Sequence, residues 1–239
     1  MQRNEIRNEI SPGSEETFEE IAASVAHEIK NPLALAMANI SLIKLADSER
    51  KYSKQCSVIE NELEKINYMV AELVISARNG QIDRNDEVIR IEDALAGVIE
   101  EFSAANGELR FETDGLDGEH FIRGDRRRLS MVFSNIIKNA SEAQEGKGRI
   151  DARVESGNDG MDAGARVVIE DHGKGLSEKD LANAGARYYS TKKYGTGMGV
   201  LYCKNTMEQY GGKFSIENRY GAGGEVRGCK VTLEFPSAE

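Results

Sequence analysis

The sequence has few cysteines, no long apolar run and no excess of basic residues. Its three cysteines, Cys56, Cys203 and Cys229, are scattered and odd in number, which indicates neither a disulfide framework nor a metal knuckle and fits a reducing compartment. No apolar run approaches the about 20 residues that a helix needs to span a bilayer, so we predict no membrane contact from this chain itself. The net charge of −10 predicts no nucleic-acid partner, because nucleic-acid binders normally present a basic face.

The chain has 239 residues, enough for one large domain or two modest ones. Its composition, 39% hydrophobic and 30% charged, is typical of a soluble, helix-rich protein. The texture of the sequence changes near residue 86, where glycines become frequent. We therefore predict a polar segment over residues 1–14, a helical hairpin over residues 15–80 and an α+β domain over residues 86–236.

Apolar residues at helical spacing predict two helices in the first part of the chain. In the second helix they alternate at intervals of four and three residues, as in a coiled-coil seam: Ile59, Leu63, Ile66, Val70 and Leu73. The pattern breaks before Asp47, and Asp47 or Ser48 is predicted to cap the helix that follows. Because a lone hairpin cannot bury enough apolar surface, we expect a homodimer that closes a four-helix bundle.

Strand-like and helical patterns alternate in the second part. Strands are predicted over residues 109–113, 120–122, 149–154, 166–170, 213–218 and 230–235. Helices are predicted over residues 91–102, 125–143 and 199–210. Antiparallel strands with helices packed on one face would make an α+β sandwich.

An imidazole beside a carboxylate is the most informative feature of the sequence. His27 and Glu28 adjoin on an apparently amphipathic helix. Pro32 follows, and its missing N–H leaves the carbonyl of Glu28 without a helical partner, so the helix should bend just after the histidine. His27 is therefore a candidate nucleophile with its own base attached. The alternative is a surface histidine on a charged helix.

Two asparagines lie four residues apart on one face of the helix predicted over residues 125–143. Asn135 and Asn139 share a stripe that is otherwise apolar, where burying an unpaired amide costs about 1–3 kcal/mol. Two interpretations stay open at this point. Either each amide bonds a neighbouring backbone group, or Asn139 offers its carbonyl oxygen to a hard cation such as Mg²⁺.

Two glycine-rich segments carry further chemistry. The first follows a strand and is either a capped turn or a site whose carboxylate accepts from the exocyclic amine of adenine: Asp171-His172-Gly173-Lys174-Gly175. The second opens a helix, whose N-terminus attracts phosphate: Gly195-Thr196-Gly197-Met198-Gly199. Residues 176–194 combine cations and aromatics, and they are either an ordinary polar connection or a mobile lid over a triphosphate.

In order and spacing, these motifs resemble the kinase core of two-component sensor histidine kinases, from about residue 15 to residue 235. The segment similar to the family's H box is His27-Glu28-Ile29-Lys30-Asn31-Pro32. The segment similar to its N box is Asn135-Ile136-Ile137-Lys138-Asn139-Ala140, and the two glycine-rich segments match its two glycine boxes. The resemblance implies a dimeric histidine-phosphotransfer hairpin and an ATP-binding domain of the GHKL type.

The same resemblance implies roles for single residues. His27 would accept a phosphoryl group, Glu28 would take the proton from its ring, and Asn31 would orient water when a phosphorylated partner is dephosphorylated. Asn139 would hold Mg²⁺, and Asp171 would bind the adenine amine. The implied ATP-binding positions are Asn135, Asn139, Asp171, Gly173, Gly175, Tyr189, Thr191, Lys192, Gly195, Thr196, Gly197, Met198 and Gly199.

By this resemblance the chain is an ATP-dependent autokinase that uses ATP and Mg²⁺. Its implied partner is the receiver domain of a separate response regulator, toward which it is kinase, phosphatase or both. About 15 residues precede the first helix, so we expect an excised core or a kinase whose input comes from a partner. We expect it in the cytoplasm, or as the cytoplasmic portion of a membrane-associated sensor kinase. Two alternatives stay open: an ATPase clamp of the gyrase, MutL-like and chaperone type, and a degenerate kinase that acts as a scaffold.

Overall fold

A computed structural model describes residues 18–47, 51–77, 87–157, 164–186, 189–192 and 197–237 of the chain. These residues form a helical hairpin followed by a mixed α and β domain. The predicted polar segment over residues 1–14 lies outside the described residues. So do residues 78–86, the whole stretch between the hairpin and the domain. Among the described helices, none combines the length and the apolar character that crossing a membrane requires.

The hairpin consists of α1 (Phe18–Ala46) and α2 (Ser53–Ala77). The side chain of Asp47 closes the turn between them. Its two carboxylate oxygens accept from the backbone N–H groups of Lys51 at 2.9 Å and of Tyr52 at 2.6 Å, just before α2 begins. Both N–H groups belong to the turn before Ser53, and Ser48 lies outside the described residues, so the predicted cap at Asp47 or Ser48 stays a prediction.

One face of each hairpin helix is buried within the chain. On α1 the buried residues recur at intervals of four and seven: Ala22, Ala26, Leu33 and Ile40. On α2 Cys56 and Val70 are buried. Two members of the predicted seam on α2, Ile59 and Ile66, keep 48% and 41% of their surface exposed. A single hairpin thus covers its own seam only in part.

The domain is built on a five-stranded sheet. A smaller sheet consists of the strands β1 (Glu87–Arg90) and β3 (Phe121–Gly124). The strands of the large sheet are β2 (Leu109–Asp114), β4 (Gly148–Ser156), β5 (Ala165–Asp171), β6 (Lys213–Tyr220) and β7 (Val226–Phe235). The order in the large sheet is β2-β4-β5-β7-β6. β4 and β5 are antiparallel neighbours, and so are β5 and β7 and β6 and β7, in agreement with the general prediction of antiparallel strands.

Two features of the sheets differ from the prediction. The pair β2 and β4 is parallel, not antiparallel. The chain leaves β2, forms β3 and a long helix, and returns to β4 in the same direction, which is the crossover that a parallel pair requires. The second difference is the strand β1, which the sequence does not predict. It pairs with β3 and aligns Ile89 with Ile122, and both side chains are buried.

Helices cover one face of the large sheet. They are α3 (Ile91–Ala105), α4 (Arg126–Ala143) and α6 (Gly199–Gln209), whereas the short α5 (Glu178–Ala182) buries none of its residues. α3, α4 and α6 share one core cluster with the strands, whose largest fully buried side chains include Leu95, Leu129, Phe133, Ile137, Ile150, Met207 and Leu233. Buried and half-buried residues alternate along β4, and half-buried and exposed residues alternate along β6, so the opposite face of these two strands is the more exposed one. The predicted helices are thus confirmed, and the short α5 is an addition.

Candidate active site

A cavity of about 550 Å³ opens where α4, the end of β5, residues 176–186 and 189–192, and the start of α6 meet. This volume lies within the usual range of small-molecule sites. Nine of the residues that the sequence predicts as ATP-binding line it: Asn135, Asn139, Asp171, Gly175, Tyr189, Thr191, Lys192, Gly197 and Gly199. Residues from three separated segments of the sequence therefore meet at one cavity.

α4 supplies the first wall of the cavity. The helix begins after Asp125, whose carboxylate accepts from the backbone N–H groups of Arg127 at 2.7 Å and Arg128 at 3.1 Å. This cap fixes the start of the helix and therefore its rotation. Asn135 and Asn139 then face the cavity, one turn apart, with Asn135 buried and Asn139 half-buried.

The carbonyl oxygen of Asn139 already faces a cation. Oδ1 accepts from the ammonium group of Lys192 at 2.6 Å. The same ammonium also bonds the carboxylate of Glu142, one turn further along α4. This bond is not to neighbouring backbone, and the role of Asn139 as a ligand of a hard cation such as Mg²⁺ stays a prediction.

Asp171 ends β5 at the floor of the cavity. The side chain is buried, and its Oδ1 accepts from the N–H groups of Gly173 at 2.8 Å and Cys229 at 3.2 Å. Burial raises the pKa of the Asp171 carboxyl, while the hydrogen bonds from Gly173 and Cys229 oppose that rise. Because both bonds converge on Oδ1, they orient the carboxylate and leave Oδ2 for a ligand in the cavity.

The glycines after Asp171 are required by the protein's own packing. A Cβ at Gly173 would lie 2.6 Å from the carbonyl oxygen of Ala143, the last residue of α4. Gly175 adopts a φ of +67°, and a Cβ there would lie 2.2 Å from Cγ1 of Val226. Both glycines therefore bring the loop against neighbouring elements, and Gly175 also lines the cavity.

Residues 176–186 and 189–192 form the outer wall. The side-chain amide of Asn218 on β6 clamps its first residue, because Leu176 N–H donates to Oδ1 at 2.8 Å and Nδ2 donates to the Leu176 carbonyl at 2.7 Å. Further along, the hydroxyl of Tyr189 donates to Oδ1 of Asp180 at 2.6 Å. This bond lowers the pKa of the Asp180 carboxyl and raises that of the Tyr189 hydroxyl. The wall is thus fixed at its base and tied internally.

The start of α6 completes the cavity. The helix begins at Gly199, and Gly197 and Gly199 line the cavity while Met198 is buried in the core. Backbone N–H groups at a helix N-terminus favour anions such as phosphate. Of the same glycine-rich segment, Gly195 and Thr196 lie outside the described residues.

The histidine motif lies on α1. His27, Glu28 and Asn31 are all exposed, on turns whose buried residues are Ala26 and Leu33. Exposure is what a residue needs if it is to meet a ligand carried by another domain. Pro32 lies inside the helix, which continues on both sides of it. The bend after His27 stays a prediction.

Known proteins resemble both parts of the chain. The family model of the histidine kinase-, DNA gyrase B-, and HSP90-like ATPases matches residues 124–239. Sporulation kinase C of Bacillus subtilis is 30% identical over 204 residues, which cover 83% of this chain and 45% of that protein. The sensor histidine kinase ZraS of Escherichia coli K12 is 29% identical over 200 residues, 82% of this chain and 42% of that protein.

Structural similarity extends over the same range. The crystal structure of full-length ShkA in complex with AMPPNP has a TM-score of 0.64 and 19% identity to this chain, over 92% of this chain and 46% of that one. The mycobacterial sensor histidine kinase MprB has a TM-score of 0.55 and 19% identity over 64% of this chain and 98% of that one. These two share the fold.

The curated relatives match across the hairpin and the ATPase domain together. The chain contains a histidine kinase core. It spans less than half the length of these curated relatives. The resemblance drawn from the H box, the N box and the two glycine boxes is thereby confirmed, and so is the GHKL type of the ATP-binding domain.

The structure brings together most, but not all, of the residues that the sequence predicts for the ATP site of this histidine kinase core. Gly173 and Met198 are not among the described residues that line the cavity. Gly173 instead sets the approach of the loop to α4, and Met198 joins the hydrophobic core. Their predicted roles in ATP binding stay predictions.

Several lining residues of the kinase core were not predicted from the sequence. Glu142 meets the same ammonium group as Asn139, and its position three residues along the same helix was an available signal. Cys229 lines the cavity beside Asp171, where burial raises the pKa of its thiol to about 12. Asn218 does not line the cavity itself but bonds the backbone of Leu176, which does. The local sequence does not predict that Cys229 or Asn218 lies at the site, because the pairing of β6 with β7 brings them there.

Proposed function

We propose that this chain is an ATP-dependent protein-histidine autokinase, which phosphorylates its own His27 and passes the phosphoryl group to an aspartate of a response regulator. The observation that carries the proposal is the shared cavity. It joins a buried carboxylate, Asp171, to a cation-binding amide oxygen, Asn139, and to the N-terminus of α6. The exposed His27–Glu28 pair on α1 supplies the acceptor.

The cavity offers complementary groups for each end of ATP. At the floor, Oδ2 of Asp171 accepts from the 6-amine of adenine. Guanine carries an oxygen at that position, so two acceptors would face each other and guanine nucleotides would be rejected. At the mouth, Gly197 and Gly199 present the helix N-terminus to the phosphates, together with the ammonium of Lys192.

The residues present also fit a magnesium ion. The ammonium between Asn139 Oδ1 and the Glu142 carboxylate shows that these oxygens accept a cation in the cavity. Oxygen ligands are those that Mg²⁺ prefers. When bound, the ion neutralises charge on the phosphates of ATP. We therefore include Mg²⁺ in the proposal, with Asn139 as its ligand from α4.

Phosphoryl transfer demands positioning more than covalent chemistry from the protein. One ring nitrogen of His27 attacks the γ-phosphorus, so that the N–P bond forms as the bond from phosphorus to the ADP oxygen breaks. The proton on the other ring nitrogen passes to the Glu28 carboxylate, which stabilises the positive charge that develops on the ring. Such general-base assistance is worth about 10²–10⁴ in rate.

The proposal includes two partners. The receiver domain of a response regulator takes the phosphoryl group on an aspartate, and Asn31, one turn after His27, orients water for the reverse dephosphorylation. The second partner is another copy of the chain. Leu45 of α1 is 82% exposed, and the partly open seam at Ile59 and Ile66 on α2 is an apolar surface of the kind that a four-helix bundle buries.

Incubation with γ-labelled ATP and Mg²⁺ tests the activity. Label is expected on the protein, stable in alkali and lost in acid, because a phosphoramidate hydrolyses in acid. His27→Gln should abolish it. Asn39 is an exposed residue of the same helix outside the motif, and Asn39→Ala gives the matched control that should keep full labelling.

The alternatives predict other results. An ATPase clamp would release inorganic phosphate without labelling itself, and a degenerate scaffold would neither label nor hydrolyse. Full labelling of the His27→Gln variant would show that the phosphoacceptor is assigned incorrectly. For the reverse reaction, Asn31→Ala should slow the dephosphorylation of a phosphorylated receiver domain while His27 is still labelled.

A further inference from the structure

Lys192 bridges two side chains of α4 at the edge of the cavity. Its ammonium bonds Oδ1 of Asn139 at 2.6 Å and also the carboxylate of Glu142. The two α4 residues are three positions apart, so their side chains lie on one face of the helix. An amide oxygen and a carboxylate oxygen thus converge on one cation.

Glu142 differs from the other carboxylates at this site. Three of the described lining residues are carboxylates: Glu142, Asp171 and Asp180. Asp171 is buried and oriented by backbone N–H groups, and Asp180 binds the hydroxyls of Ser177 and Tyr189. Within the described part of the chain, Glu142 is the one of these three whose carboxylate bonds a cationic group.

We propose that Glu142 is a second oxygen donor at the cation position beside Asn139, and that the Lys192 ammonium holds this position until a magnesium nucleotide enters. The inference rests on the proposed function and extends it to a residue outside the predicted set. Asn139 alone brings a dipole without formal charge. Mg²⁺ in nucleotide sites is usually held by one or two carboxylates together with the phosphates, and Glu142 supplies that carboxylate directly or through a water.

The exchange of cations is energetically reasonable. The side chains of Lys192 and Glu142 are each 41% exposed, and an ion pair in that setting contributes little to stability. A divalent ion at the same oxygens has twice the Coulomb attraction of an ammonium. Lys192 is then released toward the nucleotide phosphates, in agreement with its predicted role in ATP binding.

Binding of Mn²⁺ to the complex with ADP tests the inference without any catalytic step. Free Mn²⁺ is measured by electron paramagnetic resonance during titration of the full chain. Glu142→Gln keeps the shape of the side chain and removes its charge. We expect Mn²⁺ affinity in the ADP complex to fall by about 10- to 100-fold. ADP affinity without any metal should not fall, because no attraction to phosphate is lost.

The matched control is Glu145→Gln, the same change of charge three residues later at an exposed position away from the cavity. It should leave Mn²⁺ affinity at the wild-type value. If Glu142→Gln binds Mn²⁺ like the wild type, the inference is wrong and the proposed function is untouched. If the wild type binds no ADP with or without Mn²⁺, the proposed function itself fails.

A second background separates a direct contribution from an indirect one. In the indirect alternative, Glu142 acts solely by holding Lys192 in place. In the Lys192→Met background that contact is gone, so an indirect role predicts no further effect of Glu142→Gln. We expect Glu142→Gln to weaken Mn²⁺ binding by the same factor in this background. Loss of the effect there would overturn the assignment of Glu142 as a donor.

Discussion

The substitution Asp171→Asn should separate nucleotide binding from folding. The two backbone hydrogen bonds to Asp171 both end on Oδ1, at 2.8 Å and 3.2 Å. An asparagine retains an oxygen there, so its amide can keep both bonds. The substitution replaces Oδ2, the oxygen left for the ligand, with an NH₂ group. An acceptor thereby becomes a donor. In front of the adenine 6-amine, two donors would then face each other.

The expected loss of ATP affinity follows from this replacement of an acceptor by a donor. A hydrogen bond to a charged group contributes about 1.5–3 kcal/mol, which corresponds to an increase of about 10- to 150-fold in the Kd for ATP. The preference for adenine over guanine should shrink at the same time, because guanine's oxygen now meets a donor. Isothermal titration of the full chain with ATP and GTP measures both quantities.

Folding should respond in the opposite direction. Burial raises the pKa of Asp171, so the folded state favours the neutral carboxyl, and the charged form costs stability at neutral pH. This cost disappears as the pH falls through the raised pKa and the carboxyl is protonated. The Asp171→Asn variant should therefore unfold at an equal or higher temperature than the wild type at pH 7. The difference between the two unfolding temperatures should decrease as the pH is lowered. Unchanged ATP affinity together with a lower unfolding temperature would refute the binding role and make Asp171 a structural residue.

Two further predictions concern stability and reactivity. Gly173→Ala should lower the free energy of unfolding by about 1–3 kcal/mol in thermal melts, because its Cβ would lie 2.6 Å from the Ala143 carbonyl oxygen. Gly97→Ala, in α3 with no atom within 4 Å of the new Cβ, should instead be stabilising, and equal effects at both sites would contradict the packing argument. Burial raises the pKa of the Cys229 thiol to about 12, so the native protein should react slowly with a disulfide reagent at pH 8 at this thiol. Fast native labelling of Cys229 at pH 8 would show that the thiol is not protected.

Much of the architecture could be predicted from the sequence, because the spacing of apolar residues indicates which side of a helix or strand is buried. The helix over residues 125–143 and the break at Asp47 carry strong local signals, and the structure confirms both. The parallel pairing of β2 with β4 has no such signal, since parallel and antiparallel edge strands show the same alternation. The four residues of β1 are too few to display a period at all.

The site was predictable to the same extent. The order of the motifs predicted that Asn139, Asp171 and the two glycine-rich segments share one binding site, and residues from each of them line the cavity. The contacts themselves were not predictable, because they join distant parts of the chain. Lys192 reaches α4 across more than 50 residues, and Asn218 reaches Leu176 across 42. The packing of Gly173 against the end of α4 was likewise not predictable from the sequence, and its predicted role in ATP binding stays a prediction.

The central claim is that the γ-phosphoryl group of ATP in this cavity is transferred to one imidazole on the hairpin. Tandem mass spectrometry of the protein after incubation with ATP and Mg²⁺, with peptides kept at alkaline pH, locates the phosphate directly. The account predicts a phosphate on the ring of His27, removed by brief acid treatment. ATP consumption that leaves α1 unmodified, or an acid-stable phosphate on any other residue in its place, would contradict it.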